Sequence, residues 1–220
     1  MKEFLAPARY VDSAHPLVVE FSRKNSSGDD PRERAVSLYY AVRDGIRYNP
    51  FLDFSKAETY QASHCIAAGE GFCVGKAALL AACARADGIP ARVGFADVKN
   101  HLTTPALLER MGTDLFVYHG YTELHLEGRW VKATPAFNVE LCRRFRVKPL
   151  EFDGRADSIF HPFDEQDRRH MEYLRDRGSH ADVPVAEIMQ AFREAYPVLV
   201  QAGREAAGGA ARTGPGEHFG

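Results

Sequence analysis

The segment CVGKAALLAACARA, residues 73–86, constrains the fold more than any other stretch. Alanine and leucine favour helix strongly, and this helix is apolar almost all round. A helix with no polar stripe has to be covered on every side, so it is expected at the centre of the molecule. Asp87-Gly88-Ile89-Pro90 stops it, because glycine releases the backbone and proline cannot continue the ladder. The 220 residues are enough to build one core around such a helix. A single domain over 1–204 is expected, and 205–220 (EAAGGAARTGPGEHFG) has too little to bury and reads as a disordered tail.

Before the central helix the chain reads as helical. Leu17, Val18 and Phe21 mark a short helix, and the loop NSSGDD follows. Asp30 can cap the next helix, Pro31 suits its first position, and Glu33 can reach back to complete a capping box. Ala35, Leu38, Tyr39, Val42 and Ile46 then recur at helical spacing and face a core. After the central helix, ARVGF reads as a strand, and a loop or short helix covers about 100–112. Leu115 to Trp130 is the clearest strand segment, with Glu127-Gly128 as a tight turn and residues 129–134 as the returning strand. A two-residue turn pairs Leu126 with Arg129, which sets Tyr121 opposite Thr134 and His119 diagonal to it. Regular alternation puts Leu115, Val117, His119, Tyr121, Glu123 and His125 on one face. A helical extension is expected over 160–200, with a charged helix around Asp164–Arg177 and a second from Pro184 to Tyr196.

Composition narrows the function. Lys plus Arg number 28 against 30 Asp plus Glu, a formal charge of −2, which argues against a nucleic-acid binder. No run of eighteen apolar residues or signal-like leader is present, so a cytoplasmic protein with no membrane partner is expected. Cys65, Cys73, Cys83 and Cys142 are too few for a disulfide scaffold and read as free thiols. His64-Cys65, Cys73 and Cys83 lack the short paired spacings of structural zinc sites, so neither a metal nor a cofactor is expected.

One cysteine stands where chemistry is favoured. Cys73 opens the central helix after Gly71-Phe72, at the positive end of the helix dipole among unsatisfied amides. Both stabilise a thiolate, and cysteines so placed commonly have depressed pKa values. The same amides can donate to an oxyanion. Gly71 permits a tight entry, and Gly75 leaves space beside the sulfur. Cys83 lies about 15 Å further along the helix axis and reads as core. Of the two histidines on the hairpin face, His125 falls opposite Trp130 near the turn, as a rim residue. His119 is the better base.

The ordered pair GFCVGKAALLAACARADGIPARVGF and HGYTELHLEGRWVKATP resembles the transglutaminase-like superfamily, over residues from about 30 to 138. In that family a G-x-C opens the central helix and G-I-P-A-R follows it. An H-x-W-x-E strand then turns back into one ending in Asp-Pro. The resemblance implies an α+β, papain-like core in which the nucleophile's helix packs on an antiparallel sheet with flanking helices. It places Cys73 on the nucleophile and His119 on the general base. Tyr121 stands for the frequent tryptophan, and Glu123 matches the acidic position. The family's third catalytic residue, an aspartate, is replaced by Thr134. A threonine can accept a hydrogen bond from the ring without supplying charge, so Thr134 is the expected orienting residue; Asn138 is an alternative.

These features lead to a cysteine-nucleophile enzyme that acts on amide or peptide carbonyls through a thioester. The expected partner is a peptide or protein amide, with water or an amine co-substrate as acceptor, and the reading leans to hydrolysis. A catalytically inactive peptide- or protein-binding module on the same scaffold is the alternative.

Overall fold

The computed structural model describes residues 1–101, 105–159 and 171–197. Its helices are α1 (Pro16–Asn25), α2 (Pro31–Gly45), α3 (Ala62–Ala68), α4 (Cys73–Ala86), α5 (Pro105–Met111), α6 (Val139–Phe145) and α7 (Val185–Ala195). The strands are β1 (Arg47–Tyr48), β2 (Glu70–Gly71), β3 (Ala91–Asn100), β4 (Leu115–Leu126), β5 (Arg129–Ala133) and β6 (Met171–His180). The main sheet is antiparallel in the order β5-β4-β3-β6, and a small parallel pair joins β1 to β2. This is the α+β, papain-like arrangement expected of the sequence.

The central helix behaves as its composition requires. Every residue of α4 from Cys73 to Arg85 is buried, enclosed by α1, α2 and α3 on one side and by β3 and β4 on the other. Its two cationic side chains find backbone oxygens. Lys76 Nζ donates to the carbonyls of Arg43 (2.9 Å) and Ile46 (2.6 Å), the end of α2. These carbonyls have no partner within their own helix and sit at its negative pole. Arg85 donates to the carbonyls of Ala91, Ala6 and Ala181, tying the start of β3 and two distant segments to the far end of α4.

Local signals produce the expected elements. Asp30 caps α2 by accepting from the Glu33 amide at 2.8 Å. Glu33 does reach back, but its carboxylate takes the amide of Asp29, one residue before the cap. The hairpin register is as the turn dictates, from Leu126↔Arg129 to Thr122↔Ala133. Glu127 and Gly128 both have positive φ, 49° and 83°, as a two-residue primed turn needs.

Two expectations are corrected. The charged stretch around Asp164–Arg177 is not a helix where it is described: residues 171–180 form β6, an edge strand on β3. Half of its residues are exposed and only Met171 is buried, so the polar composition suits an edge with one open face. The helical extension therefore contains a strand before α7; 160–170 and the tail 205–220 lie outside the described residues. The second correction concerns β4. Ala96 pairs with His119 and Val98 with Phe116, so Val117 and Tyr118 together oppose Asp97. This bulge breaks the alternation, and Phe116 rather than Val117 falls in line with His119, Tyr121 and Glu123. Among the described residues no helix is long and apolar enough to cross a membrane.

The sheet meets α4 most tightly at Gly120. A Cβ there would stand 2.9 Å from Val74 Cα and 3.2 Å from both the Cys73 carbonyl oxygen and the Val74 nitrogen. Those atoms are helix backbone and cannot rotate away. Gly120→Ala is therefore expected to destabilise the fold by about 1–3 kcal/mol through overpacking. Gly45→Ala, at a position with nothing within 4 Å, should cause no loss. Midpoints of urea unfolding for the two variants check this; equal midpoints would refute the packing argument.

Candidate active site

Helix and sheet bring Cys73 and His119 to one cavity. Cys73 is the first residue of α4, after Phe72, whose side chain makes no capping bond. His119 stands on β4 immediately before Gly120, the residue that lies against the first turn of α4. Both line a cavity of about 40 Å³, room for a few water molecules or a short acyl chain. Its other walls are largely aromatic, with Tyr48, Phe54, Phe72 and Phe116 joined by Phe192 and Tyr196 from the end of α7. Tyr48 is carried in by the β1–β2 pairing, which sets it beside Gly71.

The thiol itself departs from expectation. Burial pushes Cys73 up to about 11, against the amides of Gly120, Val74 and Cys73 itself, which favour the thiolate. The sequence pointed to a depressed value from the helix terminus alone; removal of the sulfur from water outweighs it. The resting group is a thiol, and a base has to take its proton. Cys65 is pushed up to about 12 by burial and, like Cys83 and Cys142, is a free buried thiol.

Gly71 makes the tight entry expected of it, whereas Gly75 has a different role from the one expected. A Cβ on Gly71 would lie 2.1 Å from Cys65 Sγ; one on Gly75 would meet the Thr59 carbonyl oxygen at 3.1 Å and Cys65 Sγ at 3.3 Å. They admit α3 and the turn before it against the start of α4.

Thr134 is buried just beyond the last hairpin pair. Its hydroxyl donates to the carbonyl of Ile159 at 2.9 Å, and its amide donates to the carbonyl of Ser158 at 2.8 Å. Asn138 precedes α6, and its Oδ1 accepts from the Tyr48 amide at 3.4 Å, which directs it to the cavity wall. Tyr121 lies over Gly94, where a Cβ would fall 2.3 Å from its ring, and packs with Ala96, Val98 and Met171. Glu123 pairs with Arg92 and accepts from Ser179 Oγ at 2.9 Å, so it braces β4, β3 and β6. His125 faces Trp130 with ring centroids 5.2 Å apart, as expected of the rim.

Several contributors were not apparent from the sequence. Phe192 and Tyr196 reach the cavity from more than 70 residues beyond His119. The apolar stripe of α7 announces a docked helix but not its destination. Lys76 is held down to about 7 by burial, and the one signal for it is a lone lysine in an apolar helix. Among the described residues no three His, Cys, Asp or Glu side chains are grouped as a metal ion would need.

Comparison with known proteins follows this geometry. The model of the transglutaminase-like superfamily matches residues 20–135. A solved structure of a candidate cysteine protease from Cytophaga hutchinsonii is similar at 18% identity and a TM-score of 0.46, over 80% of this chain and 53% of that one. The chain thus spans about half of that protein's length. Comparison with curated proteins gives no match. With more than half of its residues matched by the family model, the chain belongs to the transglutaminase-like superfamily.

Proposed function

We propose that this protein is a cysteine-nucleophile enzyme acting on amide or peptide carbonyls through a thioester. The observation that carries the reading is the shared cavity, in which Cys73 at a helix start faces the strand bearing His119. His119 takes the proton of Cys73, and the sulfur attacks the carbonyl carbon. Amides at the start of α4 donate to the oxyanion. His119 then returns the proton to the leaving amine, and a thioester stays on Cys73. Water or an amine resolves it, and in this reading Thr134 is the residue that orients the imidazole. The substrate is a peptide or protein amide whose acyl group enters an uncharged, aromatic-walled cavity. Burying an ionised group there without a partner is costly, so uncharged acyl groups are favoured.

A second reading has its own support. Thr134 stands where the family's charged residue would, and burial holds Cys73 as a thiol. Both suit a binding module that has given up catalysis.

Alkylation separates the two. Iodoacetamide reacts with the thiolate, so the modification rate at Cys73, followed by peptide mass spectrometry, reports its ionisation. The wild-type protein should react at neutral pH, and His119→Ala should slow that reaction about 100-fold. In the variant the rate should climb only at alkaline pH, as for a buried thiol with no base beside it. A wild-type profile identical to that of His119→Ala would favour the binding module.

Trapping tests the chemistry directly. Incubation with glutaminyl and aromatic peptide amides, followed by acid quench, should leave a thioester on Cys73 that hydroxylamine removes. Cys73→Ser should show no such hydroxylamine-labile adduct. Release of free acid or of an amine conjugate then identifies the acceptor.

A further inference from the structure

We propose that Asp97, with Arg177 behind it, and Tyr196 are positioning residues for His119, acting through the bulge that precedes it. The inference rests on the reading of His119 as the general base.

A bulge beside a site usually re-aims a side chain. Here it does so without glycine, since Tyr118 is held at φ 53°, a left-handed conformation that side chains resist. Such a conformation persists where the surroundings over-determine it. The two residues of the bulge expose two amides, and each is taken by a side chain. The Val117 amide donates to Tyr196 Oη at 2.6 Å, while that hydroxyl donates to the Leu115 carbonyl at 2.9 Å. The Tyr118 amide donates to Asp97 Oδ1 at 3.1 Å.

Asp97 is itself fixed. Arg177 Nε lies 3.0 Å from each of its oxygens, and Nη2 lies 2.7 Å from Oδ2. The same guanidinium stacks over the Tyr118 ring at 4.7 Å. The strand entering His119 is thereby clamped on one side from β3 and β6 and on the other from the residue after α7. Arg177 and Tyr196 both lie beyond the segment matched by the family model. The imidazole's direction follows from the backbone at 118–119, and small misplacement of a catalytic base is costly in rate.

Three substitutions separate positioning from mere support of the fold. Tyr196→Phe keeps the ring on the cavity wall and removes the hydroxyl. Asp97→Ala removes both the acceptor and the charge, whereas Asp97→Asn keeps an acceptor for the Tyr118 amide. For each, the pH profile of Cys73 alkylation is measured alongside the urea midpoint, with wild type and His119→Ala as references. Tyr196→Phe and Asp97→Ala should slow neutral-pH alkylation about 10- to 100-fold and move the profile toward that of His119→Ala. Asp97→Asn should restore most of the rate. If Asp97→Ala does not fold, Tyr196→Phe decides. A folded Tyr196→Phe protein with the wild-type profile would overturn the inference while leaving the base assignment intact. Identical profiles for wild type and His119→Ala would instead remove the base assignment, and this inference with it.

Discussion

The contact between the backbone of β4 and the first turn of α4 governs the rest of the molecule. Gly120 allows it, because any larger residue would place atoms within 2.9–3.2 Å of helix backbone. With no side chain between the two elements, the Gly120 amide can act on the Cys73 sulfur, and the adjoining His119 reaches the same cavity. Thr122 continues the contact one step along, its hydroxyl donating to the Ala77 carbonyl at 2.8 Å. The helix can receive a strand so closely in part because six of its fourteen residues are alanine. The composition that forces α4 into the centre is thus also what lets a sheet approach it.

Full enclosure has an electrostatic consequence. Removal from water disfavours the charged form of every ionisable group around α4. Lys76 is brought down to about 7 and Arg85 to about 10, while Cys73 is raised to about 11. The cations are kept in place by carbonyl oxygens at the ends of other segments, and the sulfur faces amides. A thiol so held does not ionise by itself near neutrality. The same low-dielectric surroundings strengthen any dipole aimed at a charge that forms later. A site of this kind separates charge only when a proton acceptor and an electrophile are both present.

How much was legible follows from the range of each cause. The central helix, the Asp30 cap and the Glu127-Gly128 turn are written in neighbouring residues, and all three stand as read. The hairpin register follows from the turn alone and places Thr122 on Ala133 correctly. Cys73 and His119 each sit in a local motif, and the structure brings both to one cavity. β6 was not: MEYLRDRGSH has the charge and propensity of a helix, and only the open edge of β3 makes it a strand. The bulge was hidden for a related reason. No glycine or proline marks it, and its amides are taken by Asp97 and Tyr196, 21 and 79 residues away from Tyr118 and Val117. The sequence likewise gave a helix terminus to lower the Cys73 pKa but could not weigh the burial that opposes it.

These differences of range divide the molecule into two kinds of structure. The matched segment 20–135 contains α4, β3, β4 and β5, and it meets the nucleophile through backbone contacts that few sequences can alter. Beyond it, α7 closes the cavity with Phe192 and Tyr196, and β6 completes the sheet with Arg177 against Asp97. Those additions act through side chains, which a sequence can change without disturbing the helix–strand contact. Substitutions at Phe192 or Tyr196 would therefore alter the cavity wall without touching the helix–strand contact. Thr134 falls between the two kinds. It leaves the hairpin ladder after Ala133 and turns its amide to Ser158 and its hydroxyl to Ile159, so its environment is set by the connection toward β6. A charged residue there would have to be satisfied by that connection, and an uncharged hydroxyl needs only the Ile159 carbonyl it already has.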